Sequence, residues 1–187
     1  MKTNDIGYWY ERYADELFAY GIAFCIDREI VLDAIQDVFL HLYENQAKIQ
    51  DPNNVKFYLF TSLKNRIISI LRKESQFQEL TDEYQFELCA DAQELTLESE
   101  EKAQYENLLN QLLSLLTSKQ KEAIYLHYMQ NLSYEDVAQI LNITPKSTRK
   151  LIYRAIQKMQ EGLPIFFVLL LLLTQVSDLD FEVEFIA

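Results

Sequence analysis

Ser133-Tyr-Glu-Asp-Val-Ala-Gln-Ile-Leu141, Asn142-Ile143-Thr144 and Pro145-Lys-Ser-Thr-Arg-Lys-Leu-Ile-Tyr-Arg154 form the stretch that decides the fold. Ser133 stands three residues before Asp136, close to a capping box, although Asp is shorter than the preferred Glu. Val137, Ala138 and Leu141 share one side of the first helix, and the small Ala138 lets a second helix approach. Asn142, Ile143 and Thr144 make a short turn that Ile143 plugs; Thr144 then caps a second helix that Pro145 begins. This is a helix-turn-helix.

The second helix buries Leu151, Ile152 and Ala155 and presents Lys146, Ser147, Arg149, Lys150, Tyr153 and Arg154. A helix whose first turns carry Lys, Arg and Ser suits the DNA major groove. Ser147 can bond bases or phosphates, and Arg149 can read guanine or hold phosphate. Lys158 is expected to touch the DNA backbone or nothing. The competing reading is a three-helix scaffold whose cations are merely solvated. Cap, turn and charge asymmetry together favour DNA.

Outward from this motif, helical periodicity covers 98–116 and 117–130 on the upstream side. Nearer the N-terminus, Trp9, Tyr13, Leu17, Tyr20 and Phe24 form one stripe of a helix over 8–24. Asp27 can cap the next helix, which turns Ile35, Val38, Phe39 and Leu42 to one side and Asp33, Asp37, Leu40 and Glu44 to another. Asp51 and Pro52 read as N-cap and first residue of a third helix, with Leu59, Leu63, Ile67, Ile70 and Leu71 as its inner face. Lys56, Lys64, Arg66, Arg72 and Lys73 fall on that helix in a stretch free of acids. Only three glycines and three prolines occur in 187 residues, which favours long helices with short loops. The expected fold is all-α, with two small helical domains joined by a linker.

A net charge of −12 counts at first against a nucleic-acid partner, since phosphates are held by cations. Its distribution removes the objection. Eleven acids against one base lie between Glu74 and Glu106, whereas residues 107–161 carry seven bases and four acids. The acidity sits in the connector, and the last domain is basic. The expected division is a first domain over 1–74, an acidic linker over 75–106, a helix-turn-helix domain over 107–161 and a tail over 162–187. Phe77, Tyr84, Phe86 and Leu88 give the linker a few sticky points on an otherwise flexible tether. In the tail, the apolar run 163–173 is too short to span a bilayer, and 181–185 alternates like a strand. Packing onto the last domain, docking of a regulator and a weak membrane-surface contact all remain open for it.

At this point the chain resembles the extracytoplasmic-function (ECF) group of the sigma-70 family. Leu115-Leu-Thr-Ser-Lys-Gln-Lys-Glu-Ala-Ile-Tyr-Leu-His-Tyr, then Leu132-Ser-Tyr-Glu-Asp-Val-Ala and Arg154-Ala-Ile-Gln-Lys-Met, look like its fourth conserved region. Tyr13-Ala-Asp-Glu-Leu-Phe, Asp33-Ala-Ile-Gln-Asp-Val-Phe-Leu-His-Leu-Tyr-Glu and Val55-Lys-Phe-Tyr-Leu-Phe-Thr-Ser-Leu-Lys-Asn-Arg look like its second. The resemblance implies a bacterial transcription initiation factor that binds core RNA polymerase and promoter DNA, with an anti-sigma factor as a further partner, in the cytoplasm. It implies that Asp33, Gln36, Asp37, Leu40 and Glu44 meet core polymerase. Lys56, Phe57, Tyr58, Lys64, Asn65, Arg66, Arg72 and Lys73 would meet the melted minus-ten element, and the 146–154 face the upstream element. The linker would thread the polymerase channel that later holds RNA. Two departures bear on promoter preference: Ser69 replaces a usual acid, and Thr148 a usual apolar residue.

Other classes are disfavoured. His41 and His127 belong to no ligand or nucleophile motif, and glycines only at 7, 21 and 162 exclude a Walker loop. No enzyme, metal or cofactor is expected. Cys25 and Cys89, far apart and outside any CxxC spacing, read as buried thiols of a reducing cytosol. Met1 to Tyr10 shows no basic start followed by an apolar run, so no signal peptide is expected. An all-helical protein-binding adaptor remains the alternative from another class.

Overall fold

The computed structural model describes residues 6–44, 55–74, 84–88 and 99–162. Among them are seven α-helices, one π-helical turn and no strand. The tail segments 163–173 and 181–185, the Asp51-Pro52 cap, Phe77 and Cys89 lie outside the described residues.

Helix α1 (Ile6–Ile22) buries Trp9, Tyr13, Leu17 and Tyr20, the stripe read from their spacing. Asp27 caps α2 (Arg28–Glu44), accepting from the Glu29 and Ile30 amides at 2.9 and 3.4 Å. Helix α3 (Val55–Glu74) buries Leu59, Phe60, Leu63 and Ile67, while Ile70 and Leu71 are only partly covered. The three helices pack on one another in all three pairings. They converge at Gly21, where a β-carbon would lie 2.5 Å from Val31 Cγ1 and 3.3 Å from Ile67 Cδ1. Only glycine lets α1 come so close there.

The second bundle begins with α4 (Ser99–Ser114), within the helical periodicity read over 98–116. Helix α5 (Ser118–Ile124) is opened by a full capping box: the Gln120 amide donates to Thr117 Oγ1 at 3.3 Å, and Gln120 Oε1 accepts from the Thr117 amide at 3.1 Å. Its continuation widens into a π-helical turn (Tyr125–Met129), closed by the Gln130 amide on the Tyr125 carbonyl at 3.1 Å. The wider turn sets consecutive Tyr125 and Leu126 both inward and puts Tyr128 and Met129 in solvent.

The Ser133 box closes despite the shorter Asp: Ser133 Oγ accepts from the Asp136 amide at 3.1 Å, and Asp136 Oδ2 from the Ser133 amide at 3.3 Å. This starts α6 (Tyr134–Ile140), which buries Val137 and Ala138. Asn142 turns the chain at φ 52°, a left-handed conformation that Asn tolerates. The Thr144 hydroxyl oxygen then accepts from the Ser147 amide at 3.2 Å as α7 (Pro145–Gly162) begins. Ser133→Ala is expected to lower unfolding free energy by about 1 kcal/mol with an unchanged denaturant slope, as read by urea titration.

Two expectations change at this level. Cys25 is half-buried, not fully enclosed. The bundles are also not simply strung on a tether: α3 packs against α6, and one apolar cluster runs from the α1–α3 bundle into α5–α7.

Candidate nucleic-acid interface

Lys146, Ser147, Arg149, Lys150, Tyr153 and Arg154 are all exposed along α7, and Thr148, Ile152 and Ala155 are buried on its other side. Burial of alternate turns fixes which way the cations point. Thr148 fits this back face because its hydroxyl donates to the Thr144 carbonyl at 3.2 Å, so its polar atom is satisfied without water. Leu151 is half-buried, short of the full burial expected. Arg149 meets Glu135 at 3.2 Å and lies 5.3 Å from the Tyr134 ring centroid. That exposed pair is weak and easily exchanged for a phosphate. Ser147 Oγ lies 2.9 Å from Thr144 Oγ1, so part of its bonding capacity goes to the helix start. Lys158 reaches back to the Leu115 carbonyl at 3.4 Å, a contact its sequence position did not disclose.

The second cationic group lies on α3. Phe57 and Tyr58 are half-buried, and Asn65, Arg66, Arg72 and Lys73 are exposed. Lys56 pairs with Glu16 at 2.8 Å, and Arg66 with Asp37 at 2.6 Å. Lys64 departs from the expectation: it is 6 % exposed and faces protein. On α2, Asp33, Gln36, Leu40 and Glu44 are exposed, and Asp37 is half-exposed against Arg66. Leu32 and Tyr43 are exposed as well. They extend the Leu40 face, and their spacing of 32, 36, 40 and 43 was available to periodicity.

Lys64 ends at Glu122, a fully buried carboxylate of α5. Lys64 Nζ lies 2.9 Å from Glu122 Oε1 and 3.0 Å from Oε2, and donates to the Tyr84 hydroxyl oxygen at 3.1 Å. Tyr20 donates to Glu122 Oε1 at 2.6 Å, and Tyr84 donates to Oε2. Three donors from the first domain and linker thus converge on one carboxylate of the second. Beside it, Phe86 is wholly buried among Phe24, Tyr20 and Tyr125, at ring-centroid distances of 4.9, 5.8 and 5.9 Å. The Glu87 amide donates to the Ala23 carbonyl at 2.8 Å, and its carboxylate pairs with Lys121.

Burial, reinforced by Glu122, pushes the Tyr20 and Tyr84 hydroxyls well above the usual phenol range. Burial raises Tyr125 to about 12. Burial also lowers Lys64, against the pull of Glu122. The tyrosines hold their protons more tightly folded than unfolded, so their contribution is complete below pH 10 and is lost as pH rises beyond it. Lys64 acts oppositely between its lowered value and 10.5, where rising pH favours the fold. In an alkaline titration of tyrosinate absorbance, Tyr20 and Tyr84 are expected to ionise last among the twelve tyrosines, together with loss of the fold. Complete ionisation near pH 10 with the structure intact would contradict this.

Residues 9–77 match the family model of sigma-70 region 2, and residues 106–159 that of sigma-70 region 4. The chain is similar to the ECF RNA polymerase sigma factor SigM of Bacillus subtilis, 23% identical over 151 residues that cover 81% of this chain and 90% of SigM. It is also similar to a probable RNA polymerase sigma factor of Haemophilus influenzae, 26% identical over 150 residues, with 72% and 77% covered. Among solved structures it is similar to the sigma factor RpoE of Bartonella quintana in complex with the anti-sigma factor NepR, at TM-score 0.61 and 26% identity, covering 84% of this chain and 96% of that one. An all-helical pair of domains matching regions 2 and 4 in this order defines a non-enzymatic transcription initiation factor. The chain belongs to the sigma-70 family, within its extracytoplasmic-function group.

Proposed function

We propose that this chain binds core RNA polymerase and directs it to specific promoters, reading them with both domains. The observation that carries the proposal is α7, whose cationic side is wholly exposed while its apolar side is buried. That face suits the major groove of the upstream, minus-thirty-five element, with Arg149 and Arg154 as the base- or phosphate-contacting cations and Lys146 and Lys150 on phosphates. Phe57, Tyr58 and Asn65 would meet unpaired minus-ten bases, by stacking and by base-edge hydrogen bonds, with Lys56, Arg66, Arg72 and Lys73 on the backbone. Lys64 joins them only once Glu122 has moved away.

Exposed Leu40 among Asp33, Asp37 and Glu44 would offer core polymerase an apolar contact ringed by negative charge. The proposed division is 1–74 for polymerase and minus-ten contacts, 75–106 as linker, 107–161 for the upstream element and 162–187 as a tail. The RpoE structure contains an anti-sigma factor, and we assign this chain a partner of that kind as well. The proposed compartment is the cytoplasm; among the described residues no helix is long and apolar enough to cross a membrane.

Run-off transcription with purified core polymerase on a genomic library tests the reading. Defined transcripts that depend on the chain are expected. A protein-binding adaptor would yield neither transcripts nor core affinity.

A further inference from the structure

We infer that residues 163–187 fold back on the second bundle and lay the acids of 178–184 along the cationic side of α7, where they compete with DNA. The inference rests on the proposed function, because α7 has a competitor only if it reads DNA. The first observation is a match of two charged rows. Among the described residues Lys146, Lys150 and Arg154 make no ion pair, and Arg149 meets only the solvent-exposed Glu135. With Lys158 they recur every fourth residue, a row about 18 Å long that winds by about 40° per step, which long side chains absorb. After Glu161 the sequence holds no Lys or Arg, and Asp178, Asp180, Glu182 and Glu184 alternate with Leu179, Phe181, Val183 and Phe185. Extended, such a segment sets four carboxylates on one edge about 6.7 Å apart, a row of about 20 Å. The rows agree in number and pitch and are opposite in sign.

The second observation is where the chain leaves α7. A β-carbon on Gly162 would lie 2.5 Å from Leu115 Cδ1 and 3.1 Å from Leu112 Cδ2, so the backbone departs against the end of α4. Gly162 followed by Pro164 is the sequence of a helix stop, which favours a change of direction there. Leu109 and Leu115 are exposed beside that exit, an apolar patch on which the run 163–173 can rest. From the same point an open groove runs back along α7, lined by Glu161, Lys158, Arg154 and Leu151 with Thr117 and Gln120 opposite. It leads from the exit to the cations.

The third observation is reach. Arg154 lies eight residues and Lys146 sixteen residues before Gly162, about 12 and 24 Å back along the helix. Residues 163–177 cover about 22 Å if wound as a helix and about 50 Å if extended, so the acids reach the whole row. Exposed ion pairs are individually weak, but a tether of this length holds the acids at around millimolar local concentration. Such a contact yields readily to a duplex, whose phosphates are more numerous.

Zero-length carbodiimide coupling on the full free chain, read by mass spectrometry, tests the docking, and affinity for a mixed-sequence DNA duplex across a salt series tests the competition. Amide links from Asp178, Asp180, Glu182 or Glu184 to Lys146 or Lys150 are expected, and excess duplex is expected to suppress them. The variant carries Asp178→Asn, Asp180→Asn, Glu182→Gln and Glu184→Gln together, which leaves both bundles unaltered. It is expected to bind the duplex about tenfold more tightly, as a tail seated in about nine chains of ten leaves only the open fraction to bind. Its affinity should also fall more steeply with salt, because in the wild type salt loosens the tail as well as the DNA. Tighter binding without amide links would mean repulsion through space alone and would overturn the docking. Amide links with unchanged DNA affinity would overturn the competition. If neither protein bound the duplex, the assignment of α7 to DNA would fail, and the amide links would still decide whether the tail lies on it.

Discussion

Replacing Arg149 and Arg154 together with alanine is expected to weaken promoter binding by about 100-fold or more while leaving core-polymerase binding intact. Each cation contacting a base or phosphate contributes roughly 1–3 kcal/mol, and neither is needed for the fold. Both are exposed, and the Arg149–Glu135 pair they would forfeit lies in solvent, where such pairs contribute at most about 1 kcal/mol. The salt dependence should change too: removing two phosphate ligands lowers the slope of log affinity on log salt by about 1.8. Electrophoretic mobility shifts across a salt series read both quantities. Unchanged promoter affinity in the double variant would refute the assignment of α7.

Leu40→Asp should have the opposite selectivity, weakening holoenzyme formation without touching the DNA surfaces. Leu40 is 61 % exposed, so a carboxylate there leaves no cavity and buries no charge in the free protein. In a complex it forfeits the burial of a leucine, roughly 1.5–3 kcal/mol, and would desolvate a charge. A loss of core affinity on the order of 100-fold is expected, measured by fluorescence anisotropy, with an unchanged melting temperature. Wild-type affinity would remove α2 from the polymerase contact. Asp37→Arg is a less direct probe, because Asp37 holds Arg66 at 2.6 Å and reversal would set two guanidinium groups together.

Local signals made the bundles legible. The α1 stripe, the Asp27 cap, the Ser133 box and the Thr144-Pro145 start each need only a few neighbouring residues to specify a conformation, and the helices follow them. The exposed α7 cations were legible for the same reason, since period alone separates them from Ile152 and Ala155. What escaped was the contact between bundles. Glu122 meets Lys64 across 58 positions and Tyr20 across 102, and no local pattern encodes pairings of that range. One trace was present: Lys64 lies four residues after Phe60 and three before Ile67, inside the buried register of α3. A lysine in that register calls for a buried acid. In the linker, Tyr84, Phe86 and Leu88 stand out from the acidic background as sticky points, but local sequence does not disclose that Phe86 is wholly enclosed by rings of both bundles.

The length of the stretch between Glu74 and Ser99 carries a consequence for discrimination among promoters. Under the proposed promoter reading, that stretch would make the chain a bivalent reader, in which occupancy of one site raises the local concentration of the second module to around millimolar. Two individually feeble contacts then suffice for a selective address. A promoter whose two half-sites are set too far apart forfeits that gain even when each half-site is perfect, so spacing itself becomes part of the code.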